Sequence, residues 1–221
     1  MGFFDQRPML RGKIAAHHNR LECRYRAMLL WNRIWIKRQR ILDIASYNGR
    51  WSYAALNLGA KHVTGVEKNP AFVERARANM EQLEAKKDEY EFICGDIHRE
   101  ITKFEPDQFD TIFCFGFFYH TPRHEFLVEK MVALQPKAII MDTQLAKPGQ
   151  GIQFNDKPYY GRQGKVPYGV LQKMFGTRGY KIVKRANYNQ FKNQTEISDY
   201  ITGVGGGRVT LLIRPKKDLA E

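Results

Sequence analysis

The feature that most constrains this 221-residue chain is a rhythm in its middle, where short apolar runs alternate with helical patterns. Ile41–Ala45 reads as a short buried strand, followed by a helical pattern from Arg50 to about Leu58. His62–Glu67 is a second strand, and Pro70 then stands where proline favours the first turn of a helix. That helix carries Phe72, Val73, Ala76 and Met80 on one face and charges elsewhere. Tyr90–Cys94, Phe109–Phe115 and Pro136–Met141 supply three further strands, with Thr121-Pro122 placed as the start of another helix. Such alternation predicts an α/β fold, a doubly wound and mostly parallel sheet.

The two ends differ from this middle in charge. Residues 1–40 hold ten Lys/Arg against two acids, residues 41–146 twelve against sixteen, and residues 147–221 fourteen against five. Residues 1–40 are expected to form a basic helical N-terminal extension, because Leu21, Tyr25, Met28, Leu29, Trp31, Ile34 and Trp35 fall on an amphipathic pattern. Residues 41–221 are expected to be the main domain, with strands at Tyr180–Ala186 and Arg208–Ile213 and a helix at Val166–Phe175. Residues 143–165 lack periodicity and read as a long loop; loops of that length tend to carry function. Basic flanks suit an anionic partner and equally suit solvated basic faces. The longest nearly apolar run, Thr111–Tyr119, is too short to span a bilayer, and Met1–Arg7 has no apolar stretch of signal-peptide length. The expectation is a soluble, cytoplasmic protein without a membrane span. Cys23, Cys94 and Cys114 are scattered, so no metal site is expected; Cys94 and Cys114 fall in apolar runs and read as core.

In an open parallel sheet, ligands sit beyond the C-terminal ends of the strands. The polar residues at those ends are therefore informative. Asp43 lies in the first strand, Glu67 ends the second, Asp96 comes after the third, Gly116–His120 after the fourth, and Asp142 after the fifth. A carboxylate in the place of Glu67 can accept both hydroxyls of a ribose. Asp96 can accept an adenine amine, Asp43 can hold an ammonium group, and Gly49 allows close backbone approach. Together these describe a nucleoside with a cationic amino-acid tail.

The series Asp43-Ile-Ala-Ser-Tyr-Asn-Gly49, Val66-Glu67, Gly95-Asp96-Ile97 and Phe109-Asp-Thr-Ile resembles motifs I to IV of class I S-adenosylmethionine-dependent methyltransferases, in order and with their spacing. It departs from them where Ala45 and Tyr47 replace two motif I glycines. The resemblance implies a Rossmann-like seven-stranded sheet with its last strand antiparallel, and S-adenosyl-L-methionine as cofactor. It also implies cofactor binding by Asp43, Ala45, Ser46, Asn48, Gly49, Glu67, Lys68, Asp96, Ile97 and Phe115. Asp43–Ser52, Phe115–His120 and Ile140–Thr143 are further similar to a subgroup of small-molecule and sugar O-methyltransferases that includes the methylmannose polysaccharide 1-O-methyltransferase.

That reading implies methyl transfer to a hydroxyl of a small-molecule or saccharide acceptor. His120 is the candidate general base, with an unperturbed pKa near ~6.5, or alternatively a helix cap. Asp142 either orients His120 or is a satisfied carboxylate. Tyr119, Tyr159, Tyr160 and Arg162 are expected to bind substrate, residues 143–165 being the substrate loop. RNA is the alternative acceptor, gripped by the basic flanks, and a non-catalytic cofactor-binding scaffold is the other alternative.

Overall fold

A computed structural model describes residues 2–11, 18–157, 161–186, 188 and 207–219. Among the described residues, nine strands form one sheet: β1 (Arg40–Ile44), β2 (His62–Glu67), β3 (Tyr90–Cys94), β4 (Thr111–Phe115), β5 (Ala138–Ala146), β6 (Gln153–Lys157), β7 (Gly161–Pro167), β8 (Tyr180–Arg185) and β9 (Gly207–Pro215). Seven of them run in the order β3-β2-β1-β4-β5-β9-β8. β1 to β5 pair in parallel, and β9 runs antiparallel between β5 and β8. The expected α/β fold, with its antiparallel last strand, is therefore observed. Strand order reverses between β1 and β4, and a ligand crevice opens at such a point.

Helices α1 (His18–Arg24), α2 (Arg50–Asn57), α3 (Pro70–Gln82), α4 (Ile97–Glu100), α5 (His124–Ala133) and α6 (Tyr168–Gly176) flank the sheet. Asn69 caps α3 by accepting from the Ala71 N–H, and Pro70 takes the first turn as expected. The Thr121-Pro122 start is displaced, since α5 begins only at His124 after a 3-10 turn over Phe118–His120.

The strands alternate cleanly between two apolar layers. Leu42, Ile44, Ile112, Cys114, Ile139 and Met141 face one layer with α5 and α6. Ile41, Phe113, Phe115, Ile140 and Leu212 face the other, against α2 and the N-terminal segment. That segment contributes Phe4, Leu10, Leu21, Met28, Leu29 and Ile36, all fully buried. The amphipathic pattern at 19–38 is thus core packing, broken into α1, a π turn at Tyr25–Leu29 and a 3-10 stretch at Leu30–Trp35.

Two expectations need correction. Residues 143–165 are not a loop: β5 runs on to Ala146, and β6 and β7 form an antiparallel hairpin. β9 occupies one edge of β5 as far as Leu145, so β7 pairs with Leu145 and Ala146 on the edge that β4 has vacated beyond Phe115. The hairpin therefore stands over the C-terminal end of β4. Cys94 is exposed, because β3 is an edge strand that buries only Phe92, while Cys23 and Cys114 are buried. No helix among the described residues is long and apolar enough to cross a membrane.

If the N-terminal segment is part of the core, Leu21→Ala will lower stability by about 2–5 kcal/mol in urea unfolding. An unchanged midpoint would mean that the segment only decorates the domain.

Candidate functional site

The turn after β1 adopts backbone that favours glycine at three positions. Ala45 and Tyr47 both have φ of 55°, and Gly49 has φ of 73°. Without glycine, a left-handed residue costs about 1–2 kcal/mol. The turn is nevertheless held by bonds at each step: Ser46 N–H donates to Val66 O, Tyr47 N–H to Glu67 Oε2 at 3.0 Å, and Gly49 N–H to Ser46 O. Gly49 cannot be replaced cheaply, since a Cβ there would meet Phe92 Cζ at 3.0 Å and Ala76 Cβ at 3.1 Å.

A cleft of about 850 Å³ opens beyond this turn. Ala45, Glu67, Asp96, Ile97, Phe115 and Phe117 bring the ends of β1 to β4 onto its wall. Glu67 also accepts from the Asn69 N–H at 2.9 Å, so its carboxylate is fixed at the end of β2. Asp96 caps α4, accepting from the His98 N–H at 2.9 Å and lying 3.0 Å from His98 Nδ1; the Thr121 hydroxyl lies 2.9 Å from Nε2. Burial alone would raise the Asp96 pKa, but these His98 bonds and the charge of Lys68 hold it below the ordinary carboxylate value.

Beneath the cleft, on the sheet face covered by the N-terminal segment, lie two buried carboxylates. Asp43 accepts from Ser52 Oγ at 2.6 Å, and burial lifts its pKa to about 7, with the charge of Glu67 adding to the rise. Asp142 is fully buried at the level of Phe115, its register partner on β4. It accepts from Arg208 Nη1 at 2.5 Å, Arg24 Nη2 at 3.1 Å and Thr210 Oγ1 at 3.1 Å. Arg208 Nη2 donates on to Tyr119 Oη at 2.7 Å.

A second cavity, of about 1080 Å³, lies under the β6–β7 hairpin. Tyr119, Gln144, Gln153, Phe154, Asn155 and Gln163 are on its wall. His120 borders both spaces. Its Nδ1 meets Gln163 Nε2 at 2.5 Å, and burial together with the Arg208 charge lowers its pKa to about 4. The expected value near ~6.5 is thus corrected: the imidazole is neutral at physiological pH.

The sequence-expected residues therefore divide. Ala45, Glu67, Lys68, Asp96, Ile97, Phe115, His120 and Arg162 meet at the cleft, and Tyr119 at the second cavity. Asp43, Ser46 and Gly49 form or support the turn beneath it. Asn48 is fully buried and points to Leu10 O, away from the cleft. Asp142 is a satisfied ion-pair partner of two arginines. Tyr159 and Tyr160 lie outside the described residues. Sequence reasoning missed Arg24, Arg50, Arg208 and Gln163. The one available signal was a charge, Arg208, opening an otherwise apolar strand.

Residues 41–137 match the family model described as a methyltransferase domain. An S-adenosylmethionine-dependent methyltransferase from Mesorhizobium loti superposes with a TM-score of 0.62 at 14% identity, over 86% of this chain and 95% of that one. The fold is a methyltransferase fold. The N-terminal domain of EvdMO1, solved with S-adenosylhomocysteine bound, matches with a TM-score of 0.64 at 14% identity, over 87% of this chain and 79% of that one. In sequence, the chain is 24% identical over 161 residues to the tRNA U34 carboxymethyltransferase of Nautilia profundicola, covering 66% of this chain and 49% of that protein. The chain thus spans about half the length of that curated relative.

The cofactor of this methyltransferase fold is S-adenosyl-L-methionine, and the residues present fit it. Glu67 offers a fixed carboxylate for vicinal hydroxyls, and Ile97 and Phe117 offer an apolar wall for a base. Ser46 Oγ is buried with no hydrogen-bond partner among the described residues, so the turn retains unused polar capacity.

The two shifted groups oppose each other in their pH dependence. Asp43 is raised from 3.8 to about 7, so across that window the folded state keeps a proton that the unfolded chain releases, and stability falls as pH rises. His120 is lowered from 6.5 to about 4, so its contribution rises with pH across its own window. Asp43→Asn removes only the first effect. In urea unfolding, the stability of the variant relative to wild type should climb from about pH 4 to about pH 7; a pH-independent difference would show that Asp43 does not titrate there.

Proposed function

We propose that this protein transfers a methyl group from S-adenosyl-L-methionine to a hydroxyl of a small-molecule or saccharide acceptor. The observation that carries the reading is that His120 borders both the cleft fitted to the cofactor and the cavity under the hairpin. When bound, the cofactor supplies an electrophilic methyl group on its sulfonium. Asp43, Ala45, Ser46 and Gly49 hold its amino-acid end, Glu67 its ribose, and Asp96 and Ile97 its adenine. Asn48 supports the turn from behind, Phe115 closes the floor, and Lys68 flanks Asp96.

The cavity under the hairpin suits a polyhydroxylated ring. Phe154 is 44% exposed, and Arg162 stacks on it at 4.6 Å. Its aromatic face can take the C–H face of a sugar, while Gln144, Gln153, Asn155 and Gln163 supply amides for hydroxyls. Tyr119 and the β6–β7 hairpin, most of which falls in 143–165, complete the acceptor site, and Tyr159 and Tyr160 belong to the same segment by sequence. Most of the rate would come from holding the acceptor oxygen in line with the methyl group, at about 3–3.5 Å.

His120 receives the hydroxyl proton. With the Gln163 carbonyl turned to the ring, Nδ1 carries the ring proton and Nε2 accepts from the acceptor hydroxyl. A base of pKa about 4 is weak, so the proton moves only as the C–O bond forms and the hydroxyl becomes acidic. Asp142 acts at one remove, through Arg208 and its bond to Tyr119.

A second reading is RNA methylation. The curated relative is named as a tRNA-modifying enzyme, and both ends of this chain are strongly basic. Methyl-labelled S-adenosylmethionine incubated with the protein and a cell extract separates the two. Label in the metabolite or glycan pool supports the first reading; label lost on ribonuclease treatment supports the second; no transfer to any pool contradicts both. His120→Ala should lower turnover by about 10²–10⁴-fold and spare S-adenosylhomocysteine binding. Full activity in that variant would end the assignment of His120 as base.

A further inference from the structure

The order of strands leaves two walls of the cleft without a direct link. Asp96 follows β3, and Tyr119 and His120 follow β4. β2 and β1 lie between those strands, so no ladder hydrogen bond joins β3 to β4. One side chain spans the gap instead. His98 on α4 places Nδ1 3.0 Å from Asp96 Oδ1 and Nε2 2.9 Å from Oγ1 of Thr121, the residue directly after His120.

Hydrogen-bonding capacity gives this bridge one direction. Asp96 is held below the ordinary carboxylate value, so it can only accept, and the ring nitrogen facing it carries a proton. Thr121 Oγ1 already accepts from the Arg123 N–H at 3.0 Å, which leaves its own hydrogen for Nε2. The chain therefore runs from the Arg123 N–H to Thr121, from the Thr121 hydroxyl to His98, and from His98 to Asp96. Thr121 is 2% exposed and the His98 side chain 12%, so water dilutes these bonds little.

The bridge holds a short turn at both ends. His120 N–H donates to Phe117 O at 2.6 Å, closing the 3-10 turn that carries His120, and Thr121 ends that turn. The Phe117 ring centroid lies 5.9 Å from that of His98, and Phe126 of α5 flanks the same imidazole at 6.0 Å. On the opposite side, the His98 N–H and Nδ1 both engage Asp96 Oδ1. Asp96 Oδ2 meets only Lys68 Nζ, at 3.5 Å, among the described residues. Oδ2 is thus the oxygen left for the amine of a bound base.

We propose that His98 is a positioning residue that ties the carboxylate reading the base to the turn carrying His120, so that filling the base side of the cleft is transmitted to the acceptor side. The proposal rests on the S-adenosylmethionine reading given above, with Asp96 at the adenine and His120 at the acceptor. His98 acts through Asp96 and Thr121 rather than on the reacting atoms. Methyl transfer in line is sensitive to displacements of about 1 Å, and this ring joins two of the walls that must keep that register.

The test is NMR of the full chain with histidine isotope-labelled at its ring nitrogens. Adenosine is the probe, since it carries base and ribose but neither the sulfur nor the amino-acid tail. His98 should show the tautomer protonated at Nδ1. Adenosine should move the His120 ring signals, which are identified by their loss in His120→Gln. His98→Asn keeps a donor for Asp96 and loses the bond to Thr121, and Thr121→Val loses the same bond from the other side. Each should cut the His120 movement to less than half at saturating adenosine. Affinity for S-adenosylhomocysteine should stay within a few-fold of wild type by calorimetry. The double variant should lose no more than either single one, and Thr121→Ser should restore the movement. A direct effect of the ligand on His120 would survive in both variants, so undiminished movement overturns the proposal. No movement in wild type, or a His98 ring protonated at Nε2 alone, overturns it too, and both readings stand even if a variant fails to fold. Binding of neither adenosine nor S-adenosylhomocysteine overturns the cofactor reading and the proposal with it.

Discussion

One buried carboxylate midway along β5 organises the end of the sheet on which the cleft and the hairpin cavity open. Asp142 is fully buried and takes Arg208 from β9, Arg24 from the N-terminal segment and Thr210, so three separate parts of the chain are tied at one point. Removing charges from water is costly, and such a cluster persists only when its geometry and extra hydrogen bonds repay that cost. The consequence reaches the chemistry. Arg208, fixed by Asp142, holds the Tyr119 hydroxyl and helps keep His120 neutral. The electrostatics of the site thus descend from a pair buried beneath it.

A second constraint lies in the turn after β1. Two non-glycine residues, Ala45 and Tyr47, adopt the left-handed backbone there, and the strain is tolerated because Val66, Glu67 and Ser46 hold the turn by hydrogen bonds. Strain of this kind persists only where the surroundings over-determine the backbone. The Tyr47 side chain packs 4.3 Å from Phe72, ring centroid to centroid, which a glycine could not do. Tyr47 thus gives the cleft an aromatic wall at the cost of a strained turn.

Much of this was legible from residues alone, for physical reasons. β1 to β5 stand out because buried parallel strands are apolar runs, and the carboxylates of Asp43, Glu67 and Asp96 follow from where strands end. The hairpin was not legible. Gln153–Lys157 and Gly161–Pro167 are rich in polar residues and glycine, and they pair mainly with each other and with two residues of β5. Nor could the sequence reveal that Arg24 and Asp142, 118 positions apart, share a bond. The pKa of His120 was not legible either, because it is set by burial and by Arg208, a partner brought in by β9. Cys94 misled because it is the last residue of an edge strand that buries only Phe92.

The central claim is that the cleft between the ends of β1 and β4 holds S-adenosylmethionine with its sulfur turned toward the hairpin cavity. A crystal structure of the protein with S-adenosylhomocysteine tests it most directly. The account predicts ribose hydroxyls on the Glu67 carboxylate, adenine against Ile97 and Asp96, and the sulfur facing Gly116 and His120. Density at another place on the sheet, or no density at millimolar ligand, would contradict it.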